Sequence, residues 1–238
     1  MNIDYIKGTT MIITTENYED ELKYLINKNN WEYISIYQTL SEDFIRKFED
    51  KINWKIISQF QTLSEDFIKE FKNEVNWVNI SRYQTLSEGF VNDFQDEVDW
   101  CWVSVSQILS EKFIEEFKDK VDWLGISHIQ KMSEEFIEEF KDRIDYFYIS
   151  ENRKLSENFM RDFKNKLNWE MISEHQVLSE EFIREFQNKL NWYCISKFQM
   201  LSEEFIIEFQ GKMEISKIYK YQKLSDKFKA EYCKEFLS

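Results

Sequence analysis

One spacing constrains this chain more than any other feature. Leu40, Leu63, Leu86, Leu109, Met132, Leu155, Leu178, Leu201 and Leu224 follow one another at intervals of 23 residues, without insertion or deletion. Each opens a copy of L-S-E-x-F-I-x-x-F-x-x-x-(V/I/L)-(N/D)-W-x-x-I-S-x-x-Q-x. A fixed period of this length marks a repeat array, because one such unit cannot bury its apolar face alone and must stack on its neighbours. The recurring residues therefore serve folding. A specific function has to lie in residues that break the pattern.

The unit from Leu63 to Thr85 shows how each copy folds. Ser64 is placed to cap a helix, with Glu65 and Asp66 in the first turn, where carboxylates oppose the positive helix end. Leu63 and Ile68 flank the cap as a hydrophobic staple. Phe67, Ile68, Phe71 and Val75 fall at helical spacing, which predicts a helix from about Glu65 to Val75. Asn76 and its equivalents Asn53, Asp99, Asp122, Asp145, Asn168 and Asn191 are capping types. They predict a second, shorter helix from Trp77 to Gln84, with Trp77, Ile80, Ser81 and Gln84 on one face. The expected fold is all-α, an α-solenoid of tandem 23-residue helix-turn-helix repeats with one long and one short helix each. Four Gly and no Pro suit uninterrupted helices. Residues 1–39 are expected to form an N-terminal cap with a degenerate first repeat, 40–223 eight tandem repeats, and 224–238 a capping helix. A leucine-rich repeat, of similar period, would need an L-x-x-L-x-L strand that this motif lacks.

A formal net charge of −14 offers no basic stripe for nucleic acid, and it disfavours an anionic membrane surface. No apolar run approaches the ~20 residues of a membrane span. Cys101, Cys194 and Cys233 are odd in number and sit at different repeat positions, so they read as free thiols in a reducing compartment. With no signal peptide visible, the expected location is intracellular. The two histidines, His128 and His175, occupy different repeat positions and belong to no catalytic or metal-ligand motif. The expectation is a protein that is not an enzyme and holds no cofactor or metal.

Three further columns invite functional readings. The Trp column (Trp31, Trp54, Trp77, Trp100, Trp123, Trp169, Trp192) has the periodicity of a stacked core rather than of a ligand ladder. The Ser and Gln columns are expected to bond backbone groups at the tight turns, or each other between units. The Glu column, Glu42 to Glu203, stabilises helix starts and creates an acidic edge.

Off the pattern, the first turn of the short helix varies. One residue after the Trp position stand Cys101, Leu124, Phe147 and Tyr193, and two after it stand Trp102 and Tyr148. These six are the candidate partner-binding residues, since a contiguous exposed apolar patch marks an interaction site.

The run from Trp54 to Phe71, W-K-I-I-S-Q-F-Q-T-L-S-E-D-F-I-K-E-F, resembles a short tandem repeat found in protein families of amoeba-infecting giant DNA viruses. The likeness extends from about Trp31 to Phe236. Lys outnumbers Arg 25 to 6, as an AT-rich genome would give. The resemblance implies a helical repeat protein without catalytic residues. The functional expectation is a non-enzymatic repeat protein that binds another protein, of the host or the virus. Two alternatives stand beside it: a self-associating structural protein, and an acidic decoy of a basic or DNA-binding protein.

Overall fold

A computed structural model describes residues 26–37 and 39–232. The expected cap at 1–15, Gln38 and Cys233 lie outside the described residues. Among the described residues eighteen helices alternate and no strand occurs, as a helical repeat array requires. The chain gathers into two compact units, the first up to Gln107 and the second from Ile108.

In the first unit, helices that open at the Trp column (Trp31–Tyr37, Trp54–Phe60, Trp77–Tyr83, Trp100–Ser106) alternate with helices that carry the Phe-Ile pair. The latter, Glu42–Lys47, Glu65–Glu70 and Glu88–Asp93, are called Phe helices below, and the former Trp helices. Each Trp helix packs against the next. The second unit continues the alternation from Glu111–Glu116 through Trp123–Ile129, Tyr146–Asn152, Trp169–His175, Trp192–Phe198 and Ile215–Tyr221 to Asp226–Tyr232.

The caps fall where the residue types place them. Ser64 Oγ accepts the Phe67 N–H at 3.2 Å, and Asn76 Oδ1 accepts the Asn79 N–H at 3.0 Å. The helix lengths differ from the expectation. The Phe helix ends at Glu70, six residues long, against seven for the Trp helix that follows. Phe71 leaves helical geometry (φ −107°, ψ 30°), and its carbonyl accepts from both Glu74 and Val75. The physical reason is the short connection. The chain must reverse between Phe71 and Asn76, and an α-helix continued to Val75 would leave no residue free to turn. The tight turn still returns Val75 to the core.

Helices of six or seven residues do not hold in water by themselves. Burial is one support: Ile57, Ile68, Ile80, Phe67 and Val91 in the first unit, and Ile172, Ile183, Ile195 and Phe182 in the second, are wholly buried. Each such side chain contributes about 1.5–3 kcal/mol. The aromatic columns join consecutive repeats. The Trp54 ring lies 4.9 Å from Phe71, and Trp169 lies 4.8 Å from Phe186. The indole N–H reaches back to a carbonyl at the preceding turn, as Trp77 does to Lys72 at 3.0 Å. The Trp column is thus a core element.

The polar columns supply the second support. Gln84 donates to the Ser58 and Gln61 carbonyls (3.0 and 2.8 Å) and accepts the Leu63 N–H at 3.0 Å. Gln176 and Gln199 repeat this arrangement in the second unit. Ser58 donates to the Trp54 carbonyl (2.6 Å) and accepts the Asn76 N–H from the next repeat (2.9 Å). The Glu column does more than offset the helix dipole. Glu65 accepts the Ser87 N–H at 2.6 Å and its hydroxyl at 3.1 Å, and Glu134 does the same for Ser156. Each Glu therefore fastens the cap of the following Phe helix.

Candidate interaction surface

The register of the Trp helix decides which side chains reach solvent. Residues three and four after the Trp position face the core: Val103 and Ser104, or Ile149 and Ser150, have no exposure. The side opposite carries positions one, five and six, while position two is buried or half-buried, as at Asn79, Cys194 and Tyr148.

In the first unit, Cys101 is exposed, while Trp102 is half-buried. The Arg82 guanidinium lies over the Trp102 ring at 3.9 Å and beside Tyr83 at 4.9 Å. Stacking by a cation shields one indole face and leaves its edge to solvent. In the second unit, Leu124 is 54% exposed, Phe147 44% and Tyr193 48%, while Tyr148 is half-buried. The His128 ring stacks on Tyr148 at 4.4 Å, and Phe147 meets Tyr148 edge-on at 5.4 Å. Leu124 stands one turn before His128 on the same helix face. The fold thus gathers Leu124, His128, Phe147 and Tyr148 into one surface cluster. Tyr193 stands apart from it, with the exposed Glu170 at the corresponding position of the intervening repeat, and Lys217 lies over its ring at 5.0 Å.

The six candidates omit a second exposed column, six residues after the Trp position. Tyr37, Phe60 and Tyr83 occupy it in the first unit, and Ile129, Phe198 and Tyr221 in the second; all are exposed. Its signal was available in the sequence, as a recurrent aromatic just before the Gln column. Ile108, Val177 and Met200, next after the Gln column, are 95%, 93% and 89% exposed.

The Phe helices present a different face. Arg46 reaches Glu70 of the next repeat at 2.9 Å, Arg161 reaches Glu185 at 2.7 Å and Arg184 reaches Glu208 at 2.9 Å. Hydrogen bonds to these carboxylates raise the pKa of each guanidinium. Glu115 and Glu138 replace the arginine in two repeats of the second unit. The Glu column itself is engaged with Ser N–H groups, so it is not a free acidic edge.

Chemistry of other kinds finds little to build on. Among the described residues, no group of three His, Cys, Asp or Glu is placed to hold a metal ion. No helix among them is long and apolar enough to cross a membrane. The Cys194 thiol is buried, and that burial pushes its pKa up, as do Glu174 and Glu170. One groove of about 400 Å³ is lined by Glu49, Asp50, Glu70 and Glu74 around Trp54. It is open and acidic, without convergent catalytic groups. Comparison with known proteins finds no match to a family model, a curated protein or a solved structure.

Proposed function

We propose that the chain is a non-enzymatic repeat protein that holds another protein on the solvent face of its Trp helices. The observation that supports this most directly is the cluster of Leu124, His128, Phe147 and Tyr148. It sets Leu124 and Phe147 in solvent beside the stacked rings of His128 and the half-buried Tyr148. Aromatic anchors of this kind carry most of the binding energy at protein interfaces. In the first unit, Cys101 is exposed and Trp102 half-buried at the repeat positions that Phe147 and Tyr148 hold in the second. The setting that the sequence resemblance implies is a partner of the host or the virus, met inside an infected cell.

The test is affinity capture from a host-cell lysate with the wild-type chain, Leu124→Glu and Phe147→Glu, at low and moderate salt. Circular dichroism would check that all three chains are folded. The expected result is a protein retained by wild type, resistant to moderate salt and lost from both variants. Retention equal in all three but abolished by salt would overturn this reading in favour of the acidic Phe-helix face.

A further inference from the structure

The C-terminal part of the Trp-helix face is charge-complementary to itself. Five residues after the Trp position, the second unit carries Glu151, Glu174, Lys197 and Lys220 in four consecutive repeats. Two acids are followed by two bases. None of the four pairs with an opposite charge among the described residues, apart from a 4.0 Å approach of His175 to Glu174. The contrast with the Phe helices and the turns after them is clear, since Arg161, Arg184 and, in the turn, Lys166 all engage carboxylates. Three residues after Glu174 and Lys197, just past the ends of their helices, project Val177 and Met200, the most exposed large apolar side chains of this stretch. Lys197 lies over Phe198 at 4.4 Å, and Lys220 lies over Tyr221 at 5.2 Å, which holds both ammonium groups at the surface.

We infer that this face is covered by a second copy of the chain. The two copies are related by a twofold axis that runs parallel to the helices, midway between Trp169–His175 and Trp192–Phe198. Such an axis reverses the order of the repeats and keeps the position along each helix. Glu174 then meets Lys197 of the other copy, and Glu151 meets Lys220. Val177 meets Met200, and each contact occurs twice, as an isologous interface demands. One pair is mismatched: Lys154 meets Lys223 at the rim, where solvent screens the repulsion. The inference rests on the reading of the Trp-helix face as an interaction surface, and it names what occupies its C-terminal half.

The purified full-length chain is tested by light scattering and sedimentation over a wide concentration range. The expected mass is that of two chains at high concentration, with dissociation promoted by salt. Lys197→Glu with Lys220→Glu should raise the dissociation constant more than about tenfold, as should Glu151→Lys with Glu174→Lys. Mixing the two double variants should restore the dimer as a heterodimer, and so should all four substitutions in one chain. Lys154→Glu should tighten the wild-type dimer. A single-chain mass at every concentration overturns the inference, and so does a dimer indifferent to both charge reversals. Either failure leaves the partner-capture experiment readable through Leu124→Glu, because Leu124 lies outside the four repeats that the second copy covers.

Discussion

Arg153 stands where other repeats place Gln, and replacing it should stabilise the protein. A glutamine there accepts one backbone N–H and donates to two carbonyls, as Gln176 does with Leu155, Ser150 and Arg153 at 3.0, 3.0 and 2.6 Å. The Arg153 guanidinium reproduces only the donor half, bonding to the Gln130 carbonyl and to the Ser127 carbonyl at 3.2 Å. A guanidinium has no acceptor, so it cannot take the Met132 N–H. Its Nε is buried without a hydrogen-bond partner, and burial pushes its pKa down. In Arg153→Gln, one regained backbone bond contributes about 0.5–1.5 kcal/mol, and removal of an orphaned buried donor about 1–3 kcal/mol. Lost packing of the arginine stem offsets part of this, which leaves a net gain of about 2 kcal/mol. Repeats contact only their neighbours, so the readout should be local as well as global. Urea denaturation followed by circular dichroism should shift to a higher midpoint. Native-state hydrogen exchange at the Met132 amide should slow by about thirtyfold. A midpoint that is unchanged or lower, with Met132 exchanging as before, would refute the reasoning.

Three other outcomes are expected. The Tyr146 hydroxyl is buried without a partner, and burial, together with the Asp142 charge, pushes its pKa up to about 12. Since the unfolded value is about 10, the folded state binds the extra proton between these limits. Stability should therefore fall by ~2 kcal/mol as pH rises from 10 to 12. Tyr146→Phe should flatten that decline in chemical denaturation, and an identical decline in both chains would count against it. Glu134→Ala removes both bonds to Ser156 and should cost about 1–2 kcal/mol, whereas the exposed neighbour Glu135→Ala should stay within about 0.5 kcal/mol. Equal effects in thermal melts would show that the Glu column acts only through the helix dipole. The charge-swap dimer and the Leu124 and Phe147 captures described above complete the set.

Much of the architecture is legible in the sequence because the repeat averages out accident. Ser64 and Asn76 announce their caps by residue type, and Ile68 and Val75 announce burial by spacing. The Ser and Gln columns point to bonds with backbone groups or with each other, and the structure gives the former. The end of the Phe helix at Glu70 was not legible, because helical spacing continues to Val75 while the reversal depends on how much chain the turn consumes. The role of Glu65 was hidden for a different reason. A carboxylate in a first helical turn already has a local explanation, which masks its bond to Ser87, 22 residues away. At the surface, the apolar residues one position after Trp emerged as exposed. The covering of Trp102 by Arg82 could not be read, since these residues lie in different repeats at unlike positions. The aromatic column ending at Tyr221 is readable in the sequence, but it lies in the last turn of the Trp helix, away from the variable first turn.

The bonds that the Gln and Glu columns make from one repeat to the next run from a fixed side chain chiefly to backbone groups. Gln84 touches Ser58, Gln61 and Leu63 only through atoms that every residue possesses, and Glu65 needs only an N–H and a hydroxyl from Ser87. The joints are therefore indifferent to what the surface positions carry. A gene segment encoding 23 residues could be duplicated or excised in register at any of these seams, and the new junction would meet the same chemical partners. Surface identity and array length become separate hereditary variables. Recombination could reorder the exposed side chains as whole units, without rebuilding the scaffold that displays them.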